Sequence, residues 1–274
     1  MGLNGKLKFA GLTDTGRVRD HNEDHIFWDD ALGLAIVADG MGGYNAGEVA
    51  SEIAVTTVVG WIRERLPGIA GEAEDPFTGL AAATALLEAA VHEANAVIHH
   101  AAETQPQCAG MGTTIVACLF HEDRVSIAHV GDSRLYRVRA GLLEQVTTDH
   151  SLLAELVARG FYTPEEARLS MNKNLVTRAL GVEETVEVSL AEEPVLAGDT
   201  LLLCSDGLSD MVEDADIGLT ISNFGANLHA VAEQLVQRAN QNGGRDNISA
   251  VLVQAVKPLV TRKRWLDRIT DWFG

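Results

Sequence analysis

Two apolar runs in this chain end in the same dipeptide. Leu34 to Ala38 leads into Asp39-Gly40, and Leu201 to Ser205 leads into Asp206-Gly207. A short buried strand that stops on Asp-Gly delivers a carboxylate to the rim of a core, where the glycine permits a sharp turn. Two more aspartates are placed alike: Val125 to Val130 runs into Gly131-Asp132-Ser133-Arg134, and Arg245-Asp246-Asn247 opens the run Ile248 to Val253. One such Asp is read most simply as a turn residue. Four of them, far apart in sequence, converge only if the fold gathers them. Clustered anions then require cations, and hard oxygen donors suit Mg²⁺ or Mn²⁺.

A length of 274 residues suits one large domain or two small ones, and 46% hydrophobic with 22% charged residues is an ordinary globular composition. The net charge of −18 disfavours a nucleic-acid partner. A phosphorylated substrate would dock only where bound metal or a local arginine reverses that field. Cys108, Cys118 and Cys204 are too few and scattered for a disulfide framework, and a reducing, cytoplasmic setting is the expectation. No signal peptide and no transmembrane segment is expected.

Strand signals come in clusters and helix signals in pairs. Leu7–Leu12, His25–Trp28, 113–120, 124–130, Leu142–Val146 and Val186–Leu190 read as strands. Val49, Ile53, Thr57 and Trp61 mark one helical face, Leu87, Val91, Ala94 and Ile98 a second, and Leu228, Val231, Leu235 and Ala239 a third. Short helices are expected over 149–160 and after the cap Thr163-Pro164-Glu165-Glu166, with a loop over 67–78. This order argues for α+β, a four-layer α/β/β/α sandwich of two stacked, mainly antiparallel sheets flanked by helix pairs. One domain is expected over 1–256, followed by a tail over 257–274 that holds Arg262-Lys263-Arg264, Arg268, Trp265 and Trp272. The tail reads as a terminal helix on its own domain or as a membrane-surface or partner-docking helix.

Taken together, D-x-G-x-x-R-x-x-N-E-D (from Asp14), A-D-G-M-G-G, M-G-T-T, H-V-G-D-S-R, T-x-D-H-S, L-C-S-D-G-L and G-G-R-D-N follow one another in that order. The set resembles the metal-dependent protein phosphatases (type 2C serine/threonine phosphatases) in their compact bacterial form, over about Leu7 to Val253. The resemblance implies that Asp39 bridges two Mn²⁺ or Mg²⁺ ions and that the Gly40 carbonyl contacts the second. It places Asp206 and Asp246 on the first ion and Glu23 near the second. Asp24 would bind metal or orient its waters. Asp132 would share a third, weaker ion with Asp206, and Arg19 would grip the substrate phosphate. A hydroxide bridging the two ions would attack phosphorus directly, so no nucleophilic Ser or Cys is required. The implied substrates are phosphoproteins of a eukaryotic-type Ser/Thr kinase, and a monomer is expected.

Met41 stands where animal relatives carry His, and Tyr44 where many bacterial ones do, so the leaving-group acid is unassigned. His21 and His99-His100 read as surface residues, and His129 and His150 as structural hydrogen-bonding groups. Residues 151–180 match the family's flap, where Phe161, Tyr162 and Met171 contact substrate or pack the flap itself. A dinucleotide loop at Gly40-Met41-Gly42-Gly43 lacks the required G-x-G-x-x-G spacing. A pseudophosphatase that only binds phosphoproteins would be expected to lose one of Asp39, Asp206 and Asp246, and all three are present.

Overall fold

The computed structural model describes residues 3, 5–42, 46–69, 79–163, 166, 175–225 and 227–259. Tyr44, Met171, most of the 67–78 loop and residues 260–274 of the tail lie outside them. One sheet runs β1 (Leu7–Asp14), β11 (Ile248–Ala255), β10 (Thr200–Cys204), β7 (Arg134–Arg139) and β8 (Leu142–Gln145). The other runs β2 (Asp24–Asp29), β3 (Leu34–Met41), β5 (Ile115–His121), β6 (Arg124–Val130) and β9 (Ser189–Pro194), with the two-residue β4 (Gly112–Thr113) paired to the end of β3. Every one of these pairings is antiparallel.

Strand β3 is apolar on both faces because each face meets a different layer. Leu34, Ile36 and Ala38 pack under helices α1 (Ala46–Arg65) and α2 (Ala82–Thr104), whereas Ala35 and Val37 face the other sheet. Strand β10 divides in the same way. Leu201 and Leu203 join the inter-sheet core, while Leu202 and Cys204 pack under α5 (Asp214–Phe224) and α6 (Leu228–Gln241). The period-2 alternation of side chains sorts one apolar run into two cores. Three cores separate four layers, the α/β/β/α order expected.

Local readings differ at two places. Helix α1 buries Ala50, Ala54, Val55, Val58 and Ile62, whereas Val49 is 37% exposed and Ile53, Thr57 and Trp61 are only partly covered. Small residues form the inner face and let α1 settle closely on β3 and α2, and alanine contributes too little hydropathy for the period to stand out. The strand expected at Val186–Leu190 begins at Ser189 and continues to Pro194, because Arg124 to His129 of β6 supply its ladder partners.

Antiparallel pairing decides where the site forms. The end of β3 lies beside the start of β2, with Asp24 opposite Asp39. The end of β10 lies beside the start of β11, with Cys204 opposite Ala250. At this end Asp24 accepts from Ser205 Oγ at 2.8 Å, joining the two sheets.

Candidate metal centre

Backbone hydrogen bonds clamp Asp39 two residues before the end of β3. Its N–H donates to Thr114 Oγ1 (3.1 Å), and its carbonyl accepts from Thr114 N–H (2.8 Å) and Thr113 Oγ1 (2.8 Å). Gly40 N–H donates to the Glu23 carbonyl at 3.1 Å, which fixes the 13–24 loop against β3. Asp206 is the first residue of the short helix α4 (Asp206–Ser209), just past Ser205. A Cβ on Gly40 would run into the Gly47 backbone carbonyl, so this position needs close backbone approach. Gly40→Ala is expected to cost about 2 kcal/mol or more, read as a lowered urea midpoint together with loss of the ion-binding isotherm.

Burial and mutual repulsion hold the acids in a protonation-prone state. The Asp39 carboxyl is pushed well above the ordinary carboxylate range, first by burial and then by Asp24, Asp206, Asp132 and Asp246. Asp206 is raised likewise by burial, then by Asp132, Asp246, Asp210 and Asp24. Burial lifts Asp24 to about 6 against the opposing Ser249 and Ser205 hydrogen bonds, and it lifts Asp132 to about 6 with help from Asp149. Asp39 and Asp206 are therefore each within electrostatic reach of Asp24, Asp132 and Asp246, although these lie on separate segments.

Arg19 and Asp246 are joined directly, Nη2 to Oδ2 at 2.7 Å. The arginine assigned to phosphate and a carboxylate assigned to metal thus neutralise one another. Among the described residues no three His, Cys, Asp or Glu side chains form a ready-made cage for an ion. Asp24 Oδ1 is buried without a hydrogen-bond partner among the described residues. An orphaned carboxylate oxygen amid crowded, raised acids fits a donor set built for a hard divalent cation. The Glu23 carboxyl packs against Gly47 beside Gly40 and is also raised by burial. The open groove at the β1–β2 edge, lined by Phe9, Trp28, Asp30 and His229 among others, contains none of these acids.

The motif reading left several members of this site unassigned. Asn247 is buried, donates through Nδ2 to the carbonyls of Thr15 (2.9 Å) and His21 (2.8 Å), and accepts from Glu23 N–H (2.8 Å). It ties the loop carrying Arg19 and Glu23 to the start of β11. Its place as the last residue of G-G-R-D-N is the signal the sequence offers for it. Asn247→Ala would leave three backbone groups without their partner and is expected to cost about 3 kcal/mol, measurable by urea denaturation. Asp210 adds negative charge beside Asp206 and Asp132, and Thr113 and Thr114 set the Asp39 backbone.

A two-sheet sandwich that gathers aspartates from five segments at one end defines a class. The protein phosphatase 2C family model matches residues 16–253, and the chain belongs to that family. The chain is 40% identical over 245 residues to the serine/threonine phosphatase stp of Listeria innocua, covering 88% of this chain and 93% of that one. The crystal structure of the Mycobacterium tuberculosis serine/threonine phosphatase PstP/Ppp superposes with a TM-score of 0.80 at 38% identity, covering 90% of this chain and 98% of that one. The catalytic domain of PstP in complex with two manganese ions superposes at 0.78 and 37% identity, covering 92% and 99%.

Proposed function

We propose that this protein is a metal-dependent serine/threonine phosphatase that hydrolyses phosphoserine and phosphothreonine in proteins. The observation that carries the reading is the electrostatic coupling of Asp39, Asp206, Asp246 and Asp132 beside Arg19. Two divalent ions, Mg²⁺ or the Mn²⁺ of the PstP complex, would supply charge neutralisation and a lowered water pKa. Asp39, Asp206 and Asp246 would hold one ion, and Asp39 with the Gly40 carbonyl and Glu23 the other. Asp24 would orient this shell, and Asp132 with Asp206 would hold a third, weaker ion.

The chain's own groups divide the remaining work. Arg19, which pairs with Asp246 here, would present its planar fork to the phosphate oxygens if that carboxylate held an ion instead. Burial pushes the Cys204 thiol up to about 12, so the one cysteine beside Asp206 stays protonated and offers no thiolate nucleophile. Thr113, Thr114 and Asn247 hold the ligand-bearing backbone in place before substrate arrives.

Residues 1–256 form the catalytic unit in this reading, with 257–274 appended, and the protein acts as a cytoplasmic monomer opposing a Ser/Thr kinase. No described helix is long and apolar enough to cross a membrane. Release of phosphate from an aryl phosphate and from a phosphothreonine peptide should require added Mn²⁺ or Mg²⁺ and stop with EDTA. Hydrolysis that persists in chelator would overturn the assignment.

A further inference from the structure

The excursion after residue 150, which opens with helix α3 (Leu152–Ala158), is closed at its base by its own backbone. Leu152 N–H donates to the Leu175 carbonyl (2.9 Å) and Thr177 N–H to the His150 carbonyl (2.8 Å). That base is bolted to the turn carrying Asp132 through one residue. His150 N–H donates to the Gly131 carbonyl (2.8 Å), and Gly131 N–H returns a bond to His150 Nδ1 (3.1 Å). Because Nδ1 accepts, the proton of the neutral ring sits on Nε2, 2.9 Å from Ser189 Oγ at the start of β9. Burial and the nearby Arg178 favour that uncharged ring. The His129 ring packs on it at 4.6 Å between centroids.

The other side of the turn is equally confined. Gly131 has φ +110°, and a Cβ there would lie 2.6 Å from the Thr114 side chain. Thr114 Oγ1 is the group that accepts from Asp39 N–H and also pairs with Ser133 Oγ at 2.7 Å. Arg134 and Asp149 flank the contact with a two-pronged ion pair at 2.7 to 3.0 Å. The Asp132 turn is thus held between Thr114, on the Asp39 side, and His150, on the side of the excursion.

We infer that His150 is a positioning residue whose Nε2–H tautomer locks the base of the 151–177 excursion onto the Gly131–Asp132 turn and so sets where the Asp132 carboxylate stands. The inference rests on the proposed function only in taking Asp132 as an ion ligand. His150→Asn and His150→Gln separate the two ring nitrogens. Asn keeps an acceptor near the Nδ1 position for Gly131 N–H. Gln extends past it toward Ser189.

With both variants checked for a native thermal transition, His150→Gln should weaken the lowest-affinity Mn²⁺ binding step and kcat by about 10- to 100-fold. His150→Asn should stay much closer to wild type in both. In the ion-free wild type, ¹⁵N NMR of the His150 ring should report a protonated Nε2 and a bare Nδ1. Equal Mn²⁺ isotherms for the Gln and Asn variants, or a protonated Nδ1, would overturn the inference. If neither variant folds, the ring tautomer decides. A wild type that binds Mn²⁺ without turning over phosphate would refute the phosphatase reading instead, and the isotherms would still decide the role of His150.

Discussion

Asp206→Asn is expected to lower kcat by roughly 10³-fold or more while leaving the protein folded and at least as stable without ions. The side chain is nearly isosteric, so packing around α4 is retained. What changes is charge and one oxygen donor. Asp206 stands in the field of Asp132, Asp246, Asp210 and Asp24, which with burial holds its carboxyl well above the usual range. Removing one anion from that group relieves repulsion in the ion-free protein, and the same change deprives two proposed ion sites of a shared ligand. Loss of activity coupled to an unchanged or raised Tm is a pattern that generic damage does not produce. Wild-type turnover in this variant would sink the site assignment.

A Tm rise on adding Mn²⁺, larger at pH 7 than at pH 5, is the second large effect expected. Asp24 and Asp132 have folded-state values of about 6 against an ordinary 3.8. The folded protein therefore binds protons more tightly than the unfolded chain between about pH 4 and 6. Their stabilising effect is complete below the lower value and is lost as pH rises through the upper one, so the ion-free protein should weaken between pH 4 and 6. Each pKa unit corresponds to about 1.4 kcal/mol. Divalent ions reverse this loss because they bind the deprotonated carboxylates. At 100 times its dissociation constant one ion contributes about 2.7 kcal/mol, or roughly 5–10 °C in a domain of this size. Differential scanning calorimetry at the two pH values, with EDTA and with Mn²⁺, reads this directly. A Tm indifferent to Mn²⁺ at pH 7 would contradict an ion site made of these acids.

Much of the architecture was legible from local pattern. Leu34 to Ala38 and Leu201 to Cys204 announced strands buried on both sides, and stacked sheets between helix pairs were the way to cover them. The faces of α2 and α6 were read correctly because Leu87, Val91 and Ile98, and Leu228, Val231 and Leu235, are large and apolar. The face of α1 is displaced, because its fully buried surface is built mainly from alanine, valine and Ile62, with the larger Ile53 and Trp61 packing only at its margin. The start of β9 was displaced by three residues because its register is set by β6 and not by its own composition.

The sequence by itself marks, through local pattern, which carboxylates sit beside buried apolar runs. Asp206 follows β10 after Ser205 alone, whereas β3 continues through Asp39-Gly40 to Met41 because β4 pairs with it there. Tertiary structure alone decided how those runs meet. Antiparallel register sets Asp24 opposite Asp39, Ser205 bridges one sheet to the other through Asp24, and Arg19 reaches Asp246 across 227 residues of chain. Asn247 and His150 belong to that second kind, because a hydrogen bond to a distant backbone leaves no periodic trace in either partner's neighbourhood. Period and composition are local properties, whereas the closeness of several buried charges depends on the geometry of the whole sandwich.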